Sequence, residues 1–199
     1  MKTTFSRDFK NDPEWIAMQE ESKRLAASAE ERVRQLQAEQ APLMKELADA
    51  GVIYSSLGDM VKSPGPYKEA IPILLAHLEE PYSVPTRGNI ARCLAVPDAR
   101  CAWPRLVALY RSEPGNLPHA DSIKSDLAVA VAATTTEANI ATLAELARDR
   151  SNGSSRLLLL RRLRRSKSLF AKQALEDLVT DPDLEKEIAS WSKKSRAKS

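Results

Sequence analysis

Apolar and small residues recur every three or four positions along the first quarter of the chain. The recurrence follows steps of 3, 4, 3, 4, 4, 3, 4, 3 and 4 through Trp15, Met18, Ser22, Leu25, Ala29, Val33, Leu36, Gln40, Leu43 and Leu47. Because side chains three and four residues apart share one face of a helix, the pattern predicts an amphipathic helix with a heptad-like seam and one slip.

Residues suited to helix ends flank this pattern. Asp12 can serve as the N-cap, and Pro13 fits the first helical position. Pro42 lacks the backbone N–H that a helix interior requires, so we predict one helix to about Glu39 and a second from Pro42 to residue 50. Gly51 suits the C-terminal stop of the second helix.

Residues 1–51 are therefore predicted to form a helical extension, for which two roles are open. The extension packs along the rest of the chain as an N-terminal cap, or its seam joins two copies as a coiled coil. Ser22, Ala29 and Gln40 are weak seam residues, which favours the cap. We expect a monomer, or a weak dimer through the N-terminal helix.

The chain repeats itself after Tyr67. Four similar apolar segments cover residues 70–78, 102–110, 139–147 and 171–178, and three of them are followed by a turn and a second apolar segment, at 86–95, 123–132 and 155–164. In these second segments Ile90, Leu127 and Leu159 correspond, as do Leu94, Val131 and Leu163. A fixed unit of two helices predicts a helical solenoid, in which neighbouring pairs share a common apolar core.

This tract resembles the HEAT-repeat family. The resemblance rests on the proline-tolerant first helix (Pro72, Pro104), the acidic turn and the basic residue that opens the second helix. It covers about residues 52–191, is weakest in the fourth copy, and extends to small bacterial HEAT-repeat proteins of similar length. It implies an all-α fold: a right-handed solenoid of about four helical hairpins, with a long N-terminal helix before it. Residues 192–199 are then expected to be a disordered basic tail.

One basic residue occupies the same position in each of three repeats: Arg87, Lys124 and Arg156. Glu80 and Asp149 lie seven residues before Arg87 and Arg156. The resemblance implies that these acidic and basic positions link stacked repeats, so their expected role is structural. A row of basic side chains on the binding face is the alternative.

The charge of the chain is unevenly distributed. The net charge is +3, but residues 151–199 carry 12 basic and 6 acidic side chains, so an anionic partner would be attracted to this quarter. Residues 1–10 contain four charged side chains and no apolar segment of a secretory signal follows. No apolar run approaches the roughly 20 residues of a membrane span. The sequence predicts a cytoplasmic protein without a membrane partner.

The sequence contains little material for catalysis or metal binding. His77 and His119 are remote from each other, and Cys93 and Cys101 lack the further ligands of a zinc site. No phosphate-binding glycine loop, nucleophile elbow or HExxH pair occurs. We expect no enzyme activity, no metal and no cofactor.

Arginines are the strongest candidates for partner binding. Arg161, Arg162, Arg164 and Arg165 are predicted to lie opposite the leucines of one second helix, on an exposed face. In the HEAT resemblance the second helices line the concave side, which adds Arg92 to the set. We therefore expect a scaffold or adaptor, or an immunity-type inhibitor, that binds an acidic or mixed-charge protein surface. The alternative is nucleic-acid binding through the C-terminal basic face.

Overall fold

All regular structure that is described is helical. The computed structural model describes residues 12–63, 65 and 67–196, and for His119 and residues 192–196 the backbone alone. Within these residues no strand is formed, which confirms the all-α class. The α-helices are α1 (Pro13–Asp49), α2 (Leu57–Lys62), α3 (Ala70–Leu78), α4 (Val84–Cys93), α5 (Trp103–Ser112), α6 (Lys124–Thr134), α7 (Ile140–Arg148), α8 (Arg156–Arg165), α9 (Leu169–Asp177) and α10 (Glu185–Arg196).

Helix α1 continues through Pro42, which corrects the predicted break between Glu39 and Pro42. The proline is exposed, so the hydrogen bond that it cannot donate is missing on the solvent side of the helix. On the opposite side Leu43 and Leu47 are fully buried in the core. Burial of these two side chains keeps the segment helical despite the proline.

The chain divides into two compact units after Glu39, and not after Gly51 as the sequence predicted. The reason lies in the seam of α1. The seam residues from Gln40 onward are buried within the second unit, whereas Met18, Leu25 and Val33 in the first unit are exposed. The seam therefore has an exposed part before Gln40 and a buried part after Glu39.

The second unit is built from helices that contact one another in a regular order. Helices α3, α5 and α7 each pack on the helix that follows, namely α4, α6 and α8. Helices α4, α6 and α8 also pack in series, α4 on α6 and α6 on α8. Helix α9 contacts both α7 and α8, and α10 follows through the 3₁₀ turn Leu178–Thr180.

The corresponding apolar positions of the second helices meet in one core. Ile90, Leu127 and Leu159 are fully buried, as are Leu94, Val131 and Leu163, and all six belong to a single hydrophobic cluster. Fully burying a side chain of this kind contributes about 1.5–3 kcal/mol. The core therefore runs through α4, α6 and α8 without interruption.

Helix α10 extends further than the sequence predicted. Its backbone is helical to Arg196, which corrects the start of the predicted disordered tail at residue 192. Lysine and arginine are good helix formers, and cations are favourable in the last turn. The rest of the predicted tail, residues 197–199, lies outside the described residues.

No helix in the described part of the chain combines the length and the apolar character needed to cross a membrane.

Candidate functional site

The arginines of α8 do not all share one exposed face. Arg161, Arg164 and Arg165 are exposed, but the side chain of Arg162 is only 19% exposed. Its Nε donates to the backbone carbonyl of Thr135 at 2.9 Å, and its guanidinium pairs with Glu137 at 2.9 Å. This corrects the prediction for Arg162, which lies at the edge of the apolar stripe and ties α8 to the turn between α6 and α7.

The position of α8 follows from its sequence. Leu159, Leu160 and Leu163 are fully buried, so the remaining side of the helix is turned to solvent. Helix α8 ends at Arg165, because the extended backbone of the next residue, Ser166, stops the helical hydrogen bonding. Basic residues in the last turn interact favourably with the unpaired carbonyls of the helix C-terminus.

An open cleft of about 380 Å³ lies next to the exposed side of α8 that carries the arginines. We call it the arginine cleft. Its lining is Val129, Ala132, Ala133, Leu157, Leu158, Arg161, Arg162, Arg165 and Glu187. A second hollow of about 390 Å³ shares Arg161, Arg165 and Glu187 with it and adds Arg164 and Trp191. The floor of the arginine cleft is thus apolar, with arginines along one edge.

Two of the arginines at the cleft have no ion-pair partner among the described residues. Arg161 and Arg165 form no hydrogen bond or ion pair with any described residue. The nearby carboxylate of Glu187 accepts a hydrogen bond from Trp191 Nε1 at 3.1 Å, and the Arg164 guanidinium lies 4.7 Å from the Trp191 ring centre. This contact is a cation–π interaction, in which the face of an aromatic ring attracts a cation. Arg161 and Arg165 are therefore available to an anionic group from outside.

Arg92 has a different environment. Its Nε donates to Asp126 Oδ1 at 2.6 Å, and the Asp126 carboxylate is almost completely buried. Gly88 leaves room for this carboxylate, since a Cβ there would lie 2.6 Å from Asp126 Oδ2. Arg92 remains about half exposed and lines a separate polar cleft of about 270 Å³ between α4 and α6 with Asn89. It is brought close to α6, and it lines neither of the two hollows at α8.

Arg87 and Arg156, two of the basic residues predicted to link stacked repeats, each pair with an acid in the turn after the next first helix. Arg87 pairs with Glu113 at 3.1 Å and also donates to the carbonyl of Leu78. Arg156 pairs with Asp181 at 2.9 Å. Glu80 was also expected to link stacked repeats, but it is exposed and forms no ion pair with a described residue, so its expected role is corrected.

Lys124 and Asp149 complete the same set of positions. Lys124 Nζ donates to the carbonyls of Tyr110 at 2.5 Å and Glu113 at 2.7 Å, and lies 4.4 Å from the Tyr110 ring centre. Burial lowers the Lys124 pKa, while the charges of Asp149 and Glu113 act in the opposite direction. Asp149 accepts hydrogen bonds from the backbone N–H and hydroxyl of Ser151 and so stabilises the turn after α7.

Sequence reasoning missed part of the cleft lining. Val129 corresponds to Arg92 and Arg161 in the alignment of second helices, so its place on this face could have been inferred from that position. Glu187 could not, because α10 lies outside the aligned segments. Among the described residues no group of three or more His, Cys, Asp or Glu side chains is placed to hold a metal ion.

The chain matches no family model, no curated protein and no solved structure.

Proposed function

We propose that this chain is a non-enzymatic scaffold or adaptor that binds a partner protein at the arginine cleft. The observation that carries the proposal is the pair Arg161 and Arg165, exposed and without an ion-pair partner among the described residues, beside an apolar floor. Protein-binding sites commonly combine an apolar centre with arginine at or near its edge. The apolar floor provides burial, and the guanidinium groups provide specificity.

The cleft favours a particular kind of partner surface. Arginine binds carboxylates through two parallel N–H donors, which lysine cannot do. A segment that places an apolar side chain on Leu157 and carboxylates at Arg161 and Arg165 would complement the cleft. The partner is thus an acidic or mixed-charge protein surface, as expected for an adaptor or for an immunity-type inhibitor.

The proposed architecture for the second unit is a right-handed solenoid of about four HEAT-like helical hairpins. Its support is the serial packing of α4, α6 and α8, each with its own preceding helix. Further support is the pairing of a basic residue at the start of one second helix with an acid after the next first helix. In such an arrangement the side of α6 and α8 that forms the arginine cleft faces the inner groove.

Affinity capture from the native host, followed by mass spectrometry, tests the function. Three baits are compared: the wild type, Arg161→Glu/Arg165→Glu, and Arg111→Glu/Lys172→Glu as a control with the same change of charge on exposed residues. We expect a protein that the wild type and the control retain and that the cleft variant loses. Recovery of no reproducible protein, or of the same proteins with all three baits, would contradict the proposal.

Nucleic-acid binding is the second candidate, favoured by the 12 basic against 6 acidic residues in 151–199. Phosphate contacts release counterions, so binding would weaken steeply between low and high salt. The pairing of Arg162 with Glu137, and the carboxylate of Glu187 at the cleft, reduce the positive field that phosphates require. A gel shift with duplex DNA at two salt concentrations separates the two functions. Only nucleic-acid binding requires a shifted band, and Arg161→Glu/Arg165→Glu should then remove that band.

A further inference from the structure

The N-terminal part of α1 exposes an apolar seam over residues 13–39. Met18 is 57% exposed, Leu25 is 62% exposed and Val33 is 52% exposed, and Trp15 is also exposed. At 100° per residue these side chains, with Ser22, Ala29 and Leu36, fall within an arc of about 80°. Single exposed apolar residues are common on proteins, but a continuous seam along one helix face marks an interaction surface.

The remainder of this helix is strongly polar. Residues 13–39 carry six acidic and four basic side chains, among them an i,i+3 pair in which Arg34 contacts Glu31 at 2.8 Å. Helices gain most of their stability by packing an apolar face, and a pair of this kind adds only a few tenths of a kcal/mol. A surface that covers the seam would therefore stabilise this part of α1.

We propose that a second copy of this chain covers the seam, with the two α1 helices antiparallel. Large and small side chains follow one another along the seam in the same order from either end. Around a two-fold axis close to Leu25, Trp15 meets Leu36 of the other copy, Met18 meets Val33, and Ser22 meets Ala29. Large side chains then meet large ones at both ends, while the two Leu25 side chains fill the centre between the small residues.

Such self-complementarity is what a two-fold symmetric interface requires, because the same patch must serve on both copies. A parallel pair would also have two layers of small side chains, Ser22 on Ser22 and Ala29 on Ala29, so the orientation is decided by the charges beside the seam.

The charges beside the seam favour the antiparallel arrangement. Glu21 and Arg32 lie on the same edge of the seam, about 20° apart around the helix. In an antiparallel pair of helices, each edge of the seam faces the same edge of the other copy. Glu21 of each copy therefore lies next to Arg32 of the other. Neither residue has an ion pair among the described residues. Glu14 and Glu39 lie on the same edge but meet only at the ends of the pair, where solvent screens them.

The same charges argue against a membrane or nucleic acid as the occupant. An amphipathic helix that binds an anionic surface carries lysine and arginine on its polar face. Residues 13–39 have two more acidic than basic side chains, so an anionic surface would repel this helix. A second copy of the helix, in contrast, supplies Arg32 as the basic residue that pairs with Glu21.

Sedimentation equilibrium of the full chain over a wide concentration range tests the proposal. We expect a reversible dimer for the wild type. Leu25→Glu places two charges at the centre of the seam and should raise the dissociation constant by about tenfold or more. The matched control is Ala27→Glu, an exposed position of the same helix on the side away from the seam, which should leave the dissociation constant unchanged. Circular dichroism checks that both variants keep their helix content.

A charge exchange tests the orientation. Glu21→Arg and Arg32→Glu should each weaken the dimer, and the double variant should restore it, because only the antiparallel pair brings these two residues together. A wild type that stays monomeric at every concentration would overturn the proposal, as would a Leu25→Glu dimer as tight as the wild type. Failure of the double variant to restore the dimer would overturn the antiparallel arrangement. None of these results depends on the arginine cleft.

Discussion

Arg156 and Asp181 form a two-pronged ion pair inside the protein. The two terminal nitrogens of the guanidinium donate to the two carboxylate oxygens at 2.9 Å and 3.3 Å. The Arg156 side chain is 0% exposed and that of Asp181 is 5% exposed, so water cannot replace either partner. Asp183 also contacts Arg156 at 2.9 Å but is itself largely exposed. The pair joins the start of α8 to the turn that follows α9.

Removing the carboxylate of Asp181 should destabilise the protein strongly. Asp181→Ala leaves the buried Arg156 with only Asp183 as an ion-pair partner, and loss of one partner of a buried ion pair costs about 3 kcal/mol or more. Asp177→Ala is the matched control, because it removes an exposed pair with Arg148 that is worth less than about 1 kcal/mol. Urea unfolding of both variants measures the difference. Equal losses would show that the buried pair contributes no more than the surface pair.

Acid should remove the contribution of the same pair. The hydrogen bond from Arg156, together with the backbone N–H of Asp183 and nearby positive charges, lowers the Asp181 pKa against the opposing effect of burial. A folded pKa below the unfolded one means that the unfolded chain takes up the proton first as the pH falls. The stabilisation is therefore complete above an ordinary aspartate pKa of about 3.9 and is lost as the pH falls through the folded value.

Asp181→Asn, measured beside the wild type at a series of pH values, isolates this effect. The difference in unfolding free energy between the two proteins should be constant near neutral pH and should shrink in acid. Two curves that stay parallel throughout would rule out a role for Asp181 protonation. The comparison cancels the other carboxylates, such as Glu137, whose pKa is also lowered by its hydrogen bonds with Ser166 and Arg162.

Gly115 should tolerate no side chain. A Cβ there would lie 1.9 Å from the carbonyl oxygen of Ser151, and the opposing Gly153 has φ of +60° and ψ of −148°. Gly115→Ala is expected to cost more than about 2 kcal/mol, since the two backbone segments must separate.

Gly58→Ala is the control variant for Gly115→Ala. It lies in α2, where the nearest atom to a new Cβ is Ser56 Oγ at 3.6 Å, and it should stabilise the protein by about 0.5–1 kcal/mol. Thermal unfolding compares the two variants. Similar midpoints for both would contradict the close approach of the two loops.

The two cysteines should differ in reactivity. Burial raises the pKa of the Cys93 thiol to about 12, whereas Cys101 is exposed. The thiolate is the reactive form, so a thiol reagent at neutral pH should modify one cysteine per chain, at Cys101. Peptide mapping by mass spectrometry identifies the site. Labelling of Cys93 should require denaturant, and its labelling at the rate of Cys101 in the native protein would contradict its burial.

Local pattern was sufficient to predict most of the helices. The segment predicted at 70–78 has the bounds of α3, and the aligned residues Ile90, Leu127 and Leu159 are all buried. This succeeds because helical periodicity is set within a few residues along the chain. The missing backbone N–H of Pro42 predicted a break in α1, and this prediction failed because burial of Leu43 and Leu47 in the core outweighed one lost hydrogen bond.

The sequence by itself determined the all-helical class, the spacing of the apolar positions and the concentration of arginine on α8. Only the tertiary structure decided which charges neutralise each other: Arg156 contacts Asp181, 25 residues ahead, and Arg162 contacts Glu137, 25 residues behind. It also left Arg161 and Arg165 without an ion-pair partner among the described residues. The physical reason is that ion pairing depends on distances of a few ångströms between helices, and periodicity along a chain does not encode how far apart two helices pack.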